Sequence, residues 1–295
     1  MVDIQRASHP TKAKKATPVP LSKNALNVAV AMGLIAGLAT APTPAASAQQ
    51  WRPSATDSWQ WQLLGDINTS YDVDVYDIDL FDAPDAVIAA LHADGRKIVC
   101  YFSAGSSENW RDDFALFDAA DLGNPLEGWD GERWLDTRSA NVRSIMLSRL
   151  DHAVRRGCDG VEPDNVDGYQ SDNDAGLPLT AQTQINFAEF LVAAAHERGL
   201  AIGLKNDVGN VPVLAAIYDF AVNEECHALQ ECEVYRAFTD LGKPVFNAEY
   251  EERFVTNQNG ARDEVCVTAA QLGLQTLILP LSLDDSFRHA CPGAQ

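Results

Sequence analysis

The sequence predicts an α/β protein folded as a single (β/α)8 barrel, and three observations predict it. Short β-rich runs alternate with longer amphipathic stretches, which is the rhythm of parallel βαβ units. Eight such runs occur after residue 50. Nearly every run ends in polar, acid-rich sequence, and in a barrel those carboxyl-terminal ends all converge on one face. In an open doubly wound sheet they would instead spread along an edge, with function confined to the switch point.

The strands are expected over 59–64 (WQWQLL), 75–80 (VYDIDL), 97–103 (KIVCYFS), 159–164 (DGVEPD), 201–206 (AIGLKN), 219–224 (DFAVNE), 244–249 (PVFNAE) and 275–280 (QTLILP). Between them, helices are expected over 84–94, 141–156, 180–198, 211–218, 235–241 and 262–272. Two of these close on basic residues followed by glycine, at Arg155-Arg156-Gly157 and His196-Glu197-Arg198-Gly199, as a helix C-terminus requires. The barrel is placed at 57–284, after a short linker at 49–56 and before a tail at 285–295. A barrel of about 250 residues forms a single domain.

Residues 1–48 have a different composition. Arg6, Lys12, Lys14, Lys15 and Lys23 precede an apolar run over 25–41 and the small-residue stretch Ala45-Ala46-Ser47-Ala48. These are the three parts of a secretory signal peptide, cleaved near Ala48. An uncleaved membrane anchor is the alternative, although roughly 17 residues with two glycines is short for a span. The 295-residue chain has 42 acidic and 22 basic side chains, a net charge of −20. Loss of the leader would leave 17 basic against 41 acidic residues. Such a surface excludes a general nucleic-acid binder, because phosphates are held by clustered Lys and Arg. The mature form is expected to be extracellular, monomeric and free of the membrane.

Six cysteines in an exported chain read as up to three disulfides. Cys226 and Cys232 close a short loop and form the firmest pair; Cys100–Cys158 and Cys266–Cys291 follow. None has the C-x-x-C spacing of a zinc or redox site, so no metal is expected. No glycine-rich phosphate loop follows the first strand, so no dinucleotide or other cofactor is implied.

What remains is a ring of carboxylates. Two carboxyl groups facing each other across a bound sugar cleave a glycosidic bond, one donating a proton and the other acting as nucleophile or base. The densest cluster is Glu162-Pro-Asp-Asn-Val-Asp167, in which alternation puts Glu162 and Asp164 on the same side of their strand. Glu224 and Glu225 end another strand on opposite sides, so only one is expected at the barrel mouth. Glu249, at the next strand end, is a third candidate, to hold a substrate amine or to orient Lys205. Lys205 and Asn206 are placed to hydrogen-bond sugar hydroxyls, and Trp110 to stack on a sugar face.

The segments Cys100-Tyr-Phe-Ser-Ala-Gly-Ser106, Gly157-Cys-Asp-Gly-Val-Glu-Pro-Asp-Asn-Val-Asp-Gly-Tyr169, Leu204-Lys-Asn206, Ala221-Val-Asn-Glu-Glu-Cys226 and Gly242-Lys-Pro-Val-Phe-Asn-Ala-Glu-Tyr250 together resemble glycoside hydrolase family 114, the endo-alpha-1,4-polygalactosaminidases. They occur in order at strand ends within about 57–284. The resemblance implies a (β/α)8 barrel that hydrolyses galactosamine-containing polysaccharide, with Asp164 and Glu224 as the principal acids. The family usually has Asp where this chain has Glu162. Glu162, Asn165, Asp167, Tyr101 and Ser103 complete the expected substrate-binding set. Asn165 beside Asp164 is expected to keep it ionised as nucleophile or base, and the apolar run before Glu224 to raise Glu224 as proton donor. The acidity of the chain fits attraction of a polycationic substrate. The competing reading is a secreted, non-catalytic binder of cationic polysaccharide.

Overall fold

The computed structural model describes residues 50–294, so the expected signal peptide at 1–48 falls outside the described residues. The first half of the chain forms β1 (Trp59–Gln62), β2 (Val75–Asp79), α1 (Asp85–Ala93), β3 (Lys97–Ser103), β4 (Ser106–Glu108), β5 (Leu122–Pro125), β6 (Glu132–Leu135) and α2 (Ala140–Arg156). The second half forms β7 (Gly160–Asp164), α3 (Ala181–Glu197), β8 (Ala201–Lys205), α4 (Val211–Leu214), β9 (Phe220–Glu224), α5 (Arg236–Thr239), β10 (Val245–Glu249), α6 (Glu252–Val255), α7 (Ala261–Leu272), β11 (Leu274–Ile278) and β12 (His289–Ala290).

Strands β1, β2, β3, β7, β8, β9, β10 and β11 lie side by side in that order, all parallel. They are the eight runs expected from the sequence. β12 adds to the end of the sheet antiparallel to β11. Among the described residues β1 and β11 share no backbone ladder. Their seam is crossed by Trp59 Nε1, which donates to Gln275 O at 2.8 Å, and by Leu63 and Leu64 N–H groups, which donate to Leu283 O. The architecture is the (β/α)8 barrel of the sequence reading.

Strand parity divides the core into two layers. One parity sends Ile78, Cys100, Phe102, Val161, Ile202 and Leu204 outward, where they pack with the helix residues Leu91, Leu150, Phe187 and Leu191. The other parity fills the barrel with Trp59, Trp61, Val75, Val99, Phe220, Val222, Phe246 and Leu277. The long helices have the ends their sequences call for. Ser139 Oγ accepts the N–H groups of Asn141 and Val142 at the start of α2, and Gly157 ends it at φ +84°. Thr180 caps α3 by accepting the Thr183 N–H.

Residues between β3 and α2 build an antiparallel sheet in the order β4-β6-β5, which the sequence reading did not anticipate. Strands of three or four residues are too short for alternation to stand out. Gly105 makes its junction possible: a Cβ there would lie 1.7 Å from the Asn165 carbonyl oxygen. The Ala104 and Gly105 N–H groups both donate to Asp164 O, which pins the end of β7 to this sheet.

Disulfides join Cys100 to Cys158, Cys226 to Cys232 and Cys266 to Cys291. Before β1, Arg52 pairs with Asp219 and Trp51 packs against the barrel-filling layer. Among the described residues no helix is long and apolar enough to cross a membrane.

Candidate active site

The site grows from inward positions at the carboxyl ends of three strands. On β7 the inward parity gives Glu162 and Asp164; on β8 it gives Lys205; on β9 it gives Glu224. Lys205 Nζ stands at their centre, 3.1 Å from Glu162 Oε1, 3.1 Å from Asp164 Oδ2 and 3.2 Å from Glu224 Oε2. It also lies 4.8 Å from the Trp61 ring centroid and 5.7 Å from that of Tyr101. Burial lowers the proton affinity of this lysine, but Asp164, Glu162 and Glu224 outweigh it and hold the group well above the ordinary lysine value.

Asp164 and Glu224 reach the open side of this cluster. Their side chains are 16% and 26% exposed, against 0% for Glu162. Asp164 Oδ1 accepts the Asn165 N–H at 2.6 Å. Glu224 Oε1 accepts the Tyr250 hydroxyl at 2.6 Å, and Oε2 accepts from Asn206 Nδ2 at 3.2 Å. Burial pushes the Glu224 carboxyl up, but Lys205, Tyr250 and Asn206 together outweigh it and hold Glu224 below the ordinary glutamate value. The raised Glu224 expected from its apolar neighbours is therefore not what the resting site provides.

A cleft of about 480 Å³ opens above the pair. Its lining includes Asp164, Asn165, Asp167, Lys205, Asn206, Glu224 and Tyr101, seven of the residues expected from the sequence. Burial and the neighbouring Asp164 push Asp167 up to about 6. The antiparallel sheet and its loops supply the opposite wall with Glu127, Trp129, Glu132 and Trp134. Glu132 accepts the Ser106 hydroxyl at 2.5 Å and is pushed up to about 7, chiefly by burial.

Other expected residues lie elsewhere. Trp110 is 44% exposed and is not part of the cleft wall, because the chain turns away after β4 and brings Trp129 and Trp134 in its place. Ser103 is fully buried; its hydroxyl meets Ser106 Oγ at 2.6 Å and accepts from Asn165 Nδ2 at 3.0 Å, so it braces the cleft from behind. Glu162 is likewise enclosed beneath Lys205, one residue pair deeper than Asp164. Glu249 follows the outward parity of β10, since Phe246 and Ala248 take the inward one. Its oxygens accept the His227 and Ala228 N–H groups at 2.8 and 3.2 Å, away from Lys205, and burial pushes it up to about 7. Tyr250, next in the chain, reaches Glu224 instead.

Glu224 and Glu225 both line the cleft, contrary to strict alternation. β9 ends at Glu224, and Glu225 turns into the left-handed region at φ +63°. The same left-handed turn follows β7 at Asn165 (φ +58°) and β8 at Asn206 (φ +44°). Non-glycine residues are rarely held there, and such positions cluster at functional sites. Cys226, His227 and Cys232 offer ligand atoms within 4.8 Å of one another. Both sulfurs belong to a disulfide, so the trio lacks the thiolates a soft metal needs.

Two half-open carboxylates sharing one lysine beneath a sugar-sized, acid-lined cleft are equipment for splitting a glycosidic bond, and the molecule falls among the barrel glycoside hydrolases. The chain belongs to glycoside-hydrolase family GH114, which matches residues 40–295. It is 44% identical to Ega3 of Aspergillus fumigatus, whose crystal structure is a complex with galactosamine; the match covers 83% of this chain and 99% of that one, with a TM-score of 0.77. The glycoside hydrolase domain of PelA from Pseudomonas aeruginosa shares the fold at 13% identity and a TM-score of 0.59, over 78% of this chain and 96% of that domain. An uncharacterised protein of Deinococcus radiodurans is 27% identical over 267 residues, 82% of this chain and 83% of its own length. The chain is accordingly an endo-acting, polysaccharide-cleaving glycoside hydrolase, as the sequence reading expected.

Proposed function

We propose that the protein hydrolyses internal alpha-1,4 linkages in a galactosamine-containing polysaccharide, with Asp164 and Glu224 as its carboxylate pair. The carrying observation is the charge of the cleft. Glu127, Glu132, Asp164, Asp167, Glu224 and Glu225 line it against a single cation, Lys205, which is already paired. A polymer bearing free ammonium groups is drawn into such a field and an acidic polysaccharide is repelled. The galactosamine bound in the Ega3 structure supports the same sugar here.

Asp164 Oδ2 and Glu224 Oε2 touch the same Nζ, which keeps them closer than the roughly 6.5 Å at which the inverting range begins. That spacing supports a retaining reaction. Asp164, fixed by the Asn165 N–H and Lys205, serves as nucleophile, and Glu224 as proton donor and then base. Burial is already the largest influence on Glu224, and a sugar filling the cleft adds to it, raising the carboxyl toward the protonated form the first step needs. The product keeps the α-configuration.

The six paired cysteines and the leader-like residues 1–48 support an extracellular setting for the mature chain. The test is incubation of residues 49–295 with partly deacetylated galactosaminan, scoring new reducing ends. Internal cuts that disappear when the amines are fully acetylated support the reading. Binding without cleavage would favour the non-catalytic alternative.

A further inference from the structure

Beneath the rim pair lies a second carboxyl pair, Asp77 and Glu162, that the proposed mechanism does not use. Asp77 points inward from β2 and meets Glu162 of β7 across the intervening β3. Both are buried, at 1% and 0% exposure. Among the described residues neither oxygen of Asp77 has a hydrogen-bond donor, and Glu162 has only Lys205 Nζ, 3.1 Å from its Oε1, which leaves Oε2 without one. Two enclosed carboxylates beside one shared ammonium repel each other, and three buried oxygens without donors in one place are costly. One proton between the two groups removes both problems, since the protonated partner becomes the missing donor.

We propose that Asp77 is a positioning residue: as a neutral acid it hydrogen-bonds Glu162 from below, leaving Lys205 free to face Asp164 and Glu224. The inference rests on those two being the reacting carboxylates. The groups facing the Asp77–Glu162 pair are Asp164 on β7, Lys205 on β8, Tyr101 on β3 and Tyr250 beyond β10. Lys205 is the sole cation among them, while Asp77, Glu162, Asp164 and Glu224 are four potential anions. Burial and the nearby Glu162 push the Asp77 carboxyl well above the ordinary aspartate value, and burial pushes Glu162 up to about 7. Both directions agree with the geometry.

The consequence is a division of labour along one column of the barrel. If Asp77 supplies the hydrogen bond that Glu162 needs, Glu162 makes a weaker claim on the ammonium. Lys205 then keeps Asp164 and Glu224 in their resting charge state. Without that hydrogen bond, Glu162 competes for Lys205, the rim carboxylates lose part of their compensation, and their proton affinities rise.

Asp77→Asn and Asp77→Ala separate this role from simple packing. The asparagine retains an N–H donor and the shape but cannot ionise. It is expected to keep near-wild-type kcat and the wild-type acidic limb of the pH–rate profile on partly deacetylated galactosaminan. Asp77→Ala is expected to lower kcat by about 10–100-fold through misplacement of Lys205 and to move the acidic limb to higher pH. Infrared difference spectra of the full protein at neutral pH provide a readout that needs no substrate. A positive band from a buried protonated carboxyl is expected in the wild-type minus Asp77→Asn difference, in which the partly protonated Glu132, Glu249 and Asp207 cancel. Absence of that band from the difference, or loss of activity in Asp77→Asn equal to that in Asp77→Ala, would overturn the assignment. So would an unchanged pH profile in a folded Asp77→Ala. If galactosaminan is not the substrate, the infrared result still stands, so failure of the substrate reading and failure of this proposal are distinguishable.

Discussion

Glu224 and Glu249 end neighbouring parallel strands, both after an Asn-containing run, yet they meet opposite surroundings. Glu224 takes the inward parity and finds Lys205, Tyr250 and Asn206, which hold it below the ordinary value. Glu249 takes the outward parity, finds two backbone N–H groups and no cation, and is pushed up to about 7. Burial acts on both. What separates the proposed catalytic carboxylate from the structural one in this pair is whether Lys205 reaches it on the open side of the cluster, and strand parity decides that.

The sharpest break in this comparison is in turnover. Glu224→Gln is expected to lower kcat by about two to four orders of magnitude, the usual contribution of a proton-handling group. Glu249→Gln keeps the shape and one of the two accepted loop N–H groups, and Glu249 lies outside the cleft, so its turnover is expected to stay near wild type. Steady-state kinetics on one polymer sample compares the two.

Lys205→Met tests the cause of the difference. It leaves Glu162, Asp164 and Glu224 without their shared cation, and breaking a buried ion pair from one side costs about 3–5 kcal/mol. Chemical denaturation is expected to show that loss at neutral pH and a smaller one in acid, where the carboxylates take up protons. An equal loss at both pH values would point to packing against Trp61 instead.

The two glutamates also contribute to stability with opposite signs as pH changes. Glu132 and Glu249, each raised from 4.5 to about 7, Asp207, raised from 3.8 to about 7, and the Asp77–Glu162 pair with its one shared proton keep protons in the fold that the unfolded chain has released. Stability from these groups is present in acid and lost as pH rises toward about 7. Glu224 is lowered, so its contribution is present above the ordinary glutamate value and lost as pH falls through its folded value. His227, lowered from 6.5 to about 4, and His152 and His289, also lowered by burial, add stability as pH rises, but the raised carboxyls outnumber them. The thermal midpoint is expected to fall between pH 5 and pH 7, and Glu249→Gln to flatten that slope. A midpoint that rises throughout would contradict the raised carboxyls.

The smallest expected effect concerns the aromatic wall. Trp129 is 56% exposed at the cleft and Trp110 is 44% exposed outside it. Trp129→Ala is expected to weaken polymer binding by about 1 kcal/mol, the scale of one aromatic contact, and Trp110→Ala to leave it unchanged. Calorimetric titration with a non-cleaved polymer compares them.

All eight barrel strands were legible because each carries a β-rich run bounded by turn residues, and the acids at their ends marked the functional face. The wall made by β4, β5 and β6 was not, since three- and four-residue strands show no periodicity, and with it Glu127, Glu132, Trp129 and Trp134 went unassigned. Other omissions had a readable cue. The apolar residues Phe246 and Ala248 set the parity of β10, and the same count assigns Tyr250 to the site and removes Glu249. Val75 sets β2 in the same way and turns Asp77 inward. Glu225 had no such cue, because its entry to the cleft depends on a left-handed turn that alternation does not foretell.

The central claim is that the two carboxylates reached by Lys205 on the open side carry out the hydrolysis. The most direct measurement compares wild type, Asp164→Asn and Glu224→Gln for both retention of partly deacetylated galactosaminan and release of reducing ends. The account predicts that both variants remain folded and hold the polymer while cutting about two to four orders of magnitude more slowly. Wild-type rates of reducing-end release from both variants would contradict it.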